Sequence, residues 1–212
     1  MSDEGVKTVP ERKIDTLVAY APIQDADITV PLYPYERYRE VLSCKNEKAK
    51  QEKYLVWKLL EKAVVDMINL DFANLRFVKT DNGQWICPDF YFSLSHTDGL
   101  VCVAVSDSPI GVDVELVRKI NTGLGRKILT ERELLLMSEL PPDKKNRYLI
   151  ESWVKKESVF KKNGGEKLLP NRMETSEYST KLTSIEISGR EYVISASVDN
   201  CEKIEFKYME EI

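Results

Sequence analysis

Asp113 and Glu115 stand two residues apart in Ile110-Gly111-Val112-Asp113-Val114-Glu115-Leu116. In a strand, a period of two puts Val112, Val114 and Leu116 on one face and both carboxylates on the other. Carboxylates aimed the same way suit a hard cation such as Mg²⁺, which takes carboxylate oxygens together with water and substrate phosphates. A half-buried strand with a solvated acidic face has the same pattern, and spacing alone does not separate the two readings.

A second run, Trp153-Val154-Lys155-Lys156-Glu157-Ser158-Val159-Phe160-Lys161, carries an acid and a base one helical turn apart, at Glu157 and Lys161. On a helix Glu157 lies four residues after Trp153 and three before Phe160, beside the apolar stripe and not opposite it. A carboxylate near a core face is costly unless it is paired or metal-bound. The plain alternative is an i,i+4 ion pair on an amphipathic helix, stabilising by a few tenths of a kcal/mol.

The third element is Ser95-His96, read as the end of a strand over 89–94, with the turn Ser95-His96-Thr97-Asp98-Gly99 behind it. Residues at strand ends often carry function, although a lone histidine in a turn is also commonly incidental. No Ser, His and Asp order asks for a hydrolytic triad, and G-x-S-x-G, P-loop and G-x-G-x-x-G fingerprints are missing from the sequence.

The elements that must hold these residues follow from patterning. A strand is expected around 16–22, then a Pro-rich connection and two helical stretches. The longer, 47–70, carries apolar residues at helical spacing. Asp81-Asn82-Gly83 marks a turn between short strands. Strands are expected at 89–94, 100–106 and 110–117. Thr130-Glu131-Arg132-Glu133 has the spacing of a capping box ahead of a helix over 134–140, stopped by Pro141 and Pro142. A helix over 144–162 ends at Gly164-Gly165. Three strands are expected in the tail, around Ile185, Ile194 and Phe206, with a turn at Ser188-Gly189-Arg190. The string is that of an α+β protein of two similar halves, 14–107 and 108–212.

Composition excludes several classes. With 212 residues, 42% of them hydrophobic and 31% charged, the chain is globular and large enough to bury a core. Lys plus Arg number 31 and Asp plus Glu 35, a net charge of −4, so no overall positive field would gather nucleic acid. The longest apolar run, 100–105, is far short of a membrane span. Residues 1–13 are polar, without the apolar centre of a secretory signal, and a cytoplasmic location is expected. Cys44, Cys87, Cys102 and Cys201 form no C-x-x-C pair and read as buried free thiols, and the single histidine nearly excludes mixed Cys and His zinc sites.

Taken together and in order, Phe92-Ser93-Leu94-Ser95-His96, the Ile110 to Glu115 strand, and Trp153 with Lys156-Glu157 and Lys161 resemble the 4′-phosphopantetheinyl transferases of the surfactin-synthetase-activating (Sfp) type. That family's pattern is a strand-end serine and histidine, a (I/V)-G-(I/V)-D-(I/V)-E strand and a W-x-x-K-E-(A/S)-x-x-K helix, and every position is filled. The resemblance implies two similar α+β halves in one monomeric chain, with the active site in the cleft between them. It implies transfer of the phosphopantetheine arm of coenzyme A to a serine of an apo acyl or peptidyl carrier protein, releasing adenosine 3′,5′-bisphosphate. Asp113, Glu115 and Glu157 are the implied Mg²⁺ ligands, and Glu157 the implied acceptor of the serine proton. Lys156 and Lys161 are implied phosphate contacts, with Ser95 and His96 at the nucleotide phosphates. Lys53 falls where the family carries a basic residue for the 3′-phosphate, with Lys48 and Lys50 as alternatives.

Two departures stand out. Where many relatives have a G-K-P segment near the adenine, this chain has Gly83-Gln84-Trp85, and its N-terminal basic cluster is thin, with Arg37 and Arg39 separated from the Lys48 group. Arg118, Lys119, Arg126 and Lys127 are candidate contacts for an acidic carrier. Two other classes compete: a coenzyme A or carrier-binding protein without transfer activity, and a Mg²⁺-dependent phosphoesterase.

Overall fold

A computed structural model describes residues 14–165, 168–199 and 201–212. Residues 1–13, on which the absence of a secretory signal was argued, lie outside the described residues. The chain runs β1 (Leu17–Pro22), α1 (Tyr35–Leu42), α2 (Glu47–Ile68), β2 (Val78–Lys79), β3 (Trp85–Ile86), β4 (Tyr91–Thr97), β5 (Leu100–Ser106), β6 (Gly111–Leu116), α3 (Gly125–Ile128), α4 (Glu131–Glu139), α5 (Pro142–Lys162), β7 (Thr180–Ile187), β8 (Arg190–Ser197) and β9 (Glu205–Tyr208). This is the mixed α+β class that the patterning predicts.

Helix ends are set by local chemistry. Asn46 opens α2 by accepting from the Ala49 amide at 2.9 Å, and Asn69 closes it in the left-handed conformation. Thr130 and Glu133 form the expected capping box at α4. Pro142, read from the sequence as a stop, is instead a first-turn residue of α5, where its missing N–H costs nothing.

Two main sheets form. One has the order β4-β5-β1-β9 and the other β6-β8-β7. β1 is antiparallel to β5 but parallel to β9, which returns from the far end of the chain to pair Leu17 with Glu205 and Tyr20 with Tyr208. The six-residue apolar run of β5 explains the layering. Val101, Val103 and Val105 face Trp57, Leu60 and Val64 of α2, while Leu100, Cys102 and Ala104 face Val112, Val114, Ile194 and Ala196 of the second sheet. All six are fully buried, so β5 is covered on both faces. Burying each such valine or leucine stabilises by about 1.5–3 kcal/mol. The outer face of the second sheet takes Ile150 and Val154 of α5 against Val193. The layers are therefore α2, first sheet, second sheet, α5.

The hairpin β4–β5 differs from the sequence reading. Ser95, His96 and Thr97 belong to β4, paired with Cys102, Val101 and Leu100, and the turn is only Asp98-Gly99, with Gly99 at φ +92°. The strand continues because its polar residues have a use on the side facing β6. Of the four free cysteines, Cys87 and Cys102 are buried and Cys44 and Cys201 half-buried. No described helix is long and apolar enough to cross a membrane.

Candidate active site

β6 is laid beside β4 on one side and α5 on the other, and this gathers most of the residues singled out from the sequence. Asp113, almost wholly buried, accepts from the Lys161 ammonium at 2.7 Å and from the Ser95 hydroxyl at 2.8 Å. Lys161 also donates to the Val112 carbonyl at 3.1 Å. Glu115 accepts from the Thr97 hydroxyl at 3.2 Å. Glu157, one turn before Lys161, is half-buried, and no described donor reaches its carboxylate within hydrogen-bond distance.

The electrostatics follow from this crowding. Burial pushes Glu157 above the usual carboxylate range, the charges of Asp113 and Glu115 push it further, and Lys161 only partly opposes them. Burial and Asp113 likewise raise Glu115, against the pull of Thr97, Arg118 and Trp153. Three carboxylates are thus close enough to repel one another, with one lysine among them.

Among the described residues, no three His, Cys, Asp or Glu side chains converge as a ready metal cluster. The donor chemistry nevertheless fits a hard divalent cation: oxygen ligands only, half-buried, and mutually repelled. Lys161 and the hydroxyls of Ser95 and Thr97 meet part of that negative charge.

His96 lies on the same rim. Its Nδ1 is 3.3 Å from Glu52, and about a third of the side chain is exposed. Burial lowers its pKa; Glu52 pulls it up, and the positive charges of Lys161, Lys53 and Arg37 push it down again. Of the candidate lysines, Lys48 is tied to Asp98 and Lys50 to Glu47, while the charge of Lys53 acts on His96. Gly83, Gln84 and Trp85 do come to the site, lining a depression of about 310 Å³ beside Lys161.

Two of the expected phosphate contacts are engaged within the protein. Lys156 is only 1% exposed, and its ammonium donates to the Ile128 carbonyl at 2.7 Å, the Pro170 carbonyl at 2.8 Å and Glu133. All three protons are spent inside the protein, so in this structure it is a buried strut between α5, α4 and the 170 segment. Burial raises Glu133, but Lys156, Thr175 and Thr130 together hold it below the usual range. Ser95 is also taken: 6% exposed, it donates to Asp113 and accepts from the Val114 amide at 3.3 Å.

Thr97 and Glu52 escaped the sequence reading. For Thr97 a signal existed, since Ser95 and Thr97 precede Asp113 and Glu115 by the same 18 residues.

Comparison with known proteins bears on this same stretch. The family model of the 4′-phosphopantetheinyl transferase superfamily matches residues 109–198, from the start of β6 to the end of β8. Over this stretch the chain is similar to that superfamily. Among similar proteins, the 4′-phosphopantetheinyl transferase gsp of Aneurinibacillus migulanus is 26% identical over 113 residues, 53% of this chain and 48% of the relative. The 4′-phosphopantetheinyl transferase ffp of Bacillus subtilis is 29% identical over 115 residues, 53% of this chain and 51% of the relative. A further 4′-phosphopantetheinyl transferase of Bacillus subtilis is 26% identical over 178 residues, 73% of this chain and 78% of the relative. The chain spans about half the length of the first two curated relatives. The superfamily stretch supplies Asp113, Glu115, Glu157 and Lys161, whereas His96 and Lys53 come from the part before it.

Proposed function

We propose that this chain transfers the 4′-phosphopantetheine arm of coenzyme A to a serine hydroxyl of an apo acyl or peptidyl carrier protein, leaving adenosine 3′,5′-bisphosphate. The observation that carries the reading is Glu157. It is a half-buried carboxylate with no donor among the described residues, beside Asp113, Glu115 and Lys161 within the stretch that matches the superfamily.

In this reading Asp113, Glu115 and Glu157 would hold Mg²⁺, which when bound would neutralise charge on the coenzyme A pyrophosphate. Phosphoryl transfer depends mainly on positioning and on stabilising charge at the leaving oxygen. Lys161 supplies a fixed positive charge at the carboxylates, and its ammonium is free to exchange Asp113 for a phosphate oxygen. His96 and Lys53 face the nucleotide phosphates. Glu157 accepts the proton of the attacking serine. The halves 14–107 and 108–212 then supply different parts: β4 and α2 the nucleotide side, β6 and α5 the acidic group. A pseudo-twofold relation of the halves, a monomeric state and a cytoplasmic location belong to this reading and rest on the sequence.

The carrier would approach over Arg118 and Lys127. These flank an apolar groove of about 430 Å³ that runs from Glu115 and Trp153 to Leu124 and Ile128. Acidic carriers would be steered by such a rim.

The test is to incubate the protein with coenzyme A, Mg²⁺ and a panel of apo carriers and to weigh each carrier intact. A gain of one phosphopantetheine arm, lost with EDTA and in Asp113→Ala, is the expected result. Cleavage of coenzyme A with no carrier modified would overturn the transferase reading in favour of a phosphoesterase, and binding without cleavage would favour a binding protein.

A further inference from the structure

β4 is the edge of the first sheet and β6 the edge of the second. The two strands meet at the seam without backbone pairing. An edge strand presents unpaired N–H groups, and burying them unpaired is costly. Val112 and Val114 of β6 are fully buried, yet their amides are satisfied: Val112 N–H donates to the Ser93 hydroxyl at 3.0 Å and Val114 N–H to the Ser95 hydroxyl at 3.3 Å. Ser95 then spends its own proton on Asp113, and Thr97, the next residue on the same face of β4, spends its proton on Glu115. A hydroxyl can accept and donate at once, which a backbone group cannot do.

We propose that Ser93, Ser95 and Thr97 form a positioning ladder, by which β4 fixes β6 across the seam and aims the Asp113 and Glu115 carboxylates. Two like charges on one strand face swing apart when nothing holds them. Ser95 and Thr97 each tether one at matching offsets, so the acidic pair arrives preorganised for a divalent cation. The N-terminal half therefore takes part in building a site whose acidic residues all lie in the C-terminal half. The role of Thr97 and Ser95 rests on reading Asp113 and Glu115 as cation ligands; the seam itself does not.

The experiment has two arms on the full chain, without coenzyme A or carrier. In the first, amide hydrogen exchange is followed by NMR. Ser93→Ala should speed exchange at Val112 and Ser95→Ala at Val114, while the amides of Asp113 and Glu115, which alternate toward β8, stay protected. In the second, Mn²⁺ binding is measured by calorimetry. Thr97→Val, which keeps the shape and removes the hydroxyl, should weaken binding by about tenfold, the equivalent of one hydrogen bond to a charged group. Thr97→Ser should restore it. Unchanged exchange at both valines would overturn the ladder. Equal weakening in Thr97→Val and Thr97→Ser would assign the loss to packing and overturn the positioning role. A wild-type protein that binds no Mn²⁺ would overturn the cation reading and the positioning role with it, while lost protection at Val112 and Val114 would still identify the seam.

Discussion

Gly111 of β6 lies directly against the backbone of Ser158 in α5: a Cβ built on Gly111 would stand 1.9 Å from the Ser158 carbonyl oxygen and 2.5 Å from the Lys162 amide. Strand and helix touch main chain to main chain there. Asp113 and Glu115 follow Gly111 on the strand, and Glu157 and Lys161 flank Ser158 on the helix, so this contact sets how closely the acidic group is drawn together. The Ser158 and Ser195 hydroxyls, 2.9 Å apart, tie the same point to β8.

Gly111→Ala must push β6 off α5, because backbone on both sides cannot yield as a flexible side chain would. Forced overpacking of this kind costs about 1–3 kcal/mol or more. The expected outcome is a lower thermal midpoint together with a loss of carrier modification larger than the fraction unfolded accounts for. Parallel thermal unfolding and intact-mass assays check both.

Glu157→Gln should separate stability from activity. Burial and the charges of Asp113 and Glu115 oppose the ionised carboxylate, so a neutral amide relieves repulsion in the cation-free protein. The variant should melt higher than wild type at pH 7.5 without divalent ions and be nearly inactive in transfer. Scanning calorimetry with and without Mg²⁺ gives the first result, and wild-type transfer rates in the variant would remove Glu157 from its role.

The pH dependence of stability has two opposed windows. Glu115 and Glu157 have folded values raised above the usual 4.5, so over that interval the folded state binds more protons than the unfolded state. Stability therefore falls as pH rises from about 4.5 through the folded values. Asp98 acts in the other direction: hydrogen bonds from Lys48 and Arg190 hold it at about 2, against an ordinary 3.8. Its contribution is present above the unfolded value and lost as pH falls toward 2. His96, lowered from its ordinary 6.5 by burial, also adds stability as pH rises toward that value. Urea titrations from pH 3 to 8 should show stability gained as Asp98 ionises, and Mg²⁺ should offset the loss from Glu115 and Glu157 above about pH 4.5.

Lys156→Met leaves the Glu133 carboxylate buried without its cation. Removing one partner of a buried ion pair costs about 3–5 kcal/mol. Pairing the change with Glu133→Gln, which removes the charge and keeps an acceptor for Thr130 and Thr175, should recover part of that loss, as a double-mutant cycle in denaturant would reveal. A near-neutral Lys156→Met, with coenzyme A affinity lost, would return Lys156 to a phosphate role.

Replacing Arg118, Lys119, Arg126 and Lys127 by glutamine should raise KM for an acidic carrier by about tenfold at low ionic strength, with a smaller effect on kcat. Steady-state kinetics at two salt concentrations tests this, and an unchanged KM would exclude these four residues from docking.

Most elements could be read from local pattern because local chemistry sets them: the capping box at Thr130 and Glu133, the glycine stop after α5, the alternation of β6. The acidic trio and Lys161 were singled out by type and spacing, which left a solvated acidic face and an ordinary ion pair open, and only the family resemblance drew them together. What could not be read depends on the third dimension. Lys156 sits next to Glu157 in sequence, but a helix turns adjacent side chains about 100° apart, and its destination was decided by Glu133, Ile128 and Pro170, which no local pattern links to it. Ser95 and Thr97 looked like turn residues because serine and threonine are common there. Their partners on β6 lie 18 residues away, and so they are strand residues with a buried task.

The parallel pairing of β9 with β1 also bears on the order in which the protein is made. Among the described strands β1 leaves the ribosome first and β9 last, and the first sheet has its full complement only when both are present. At about 5–20 residues per second, β1 waits roughly ten to forty seconds for its neighbour. Throughout that time the edge that will bond to Glu205–Tyr208 is open to any passing strand, including one from a second nascent chain. A gene cut at the midpoint would make that exposure permanent, because the piece carrying β1 would never receive the strand that closes it.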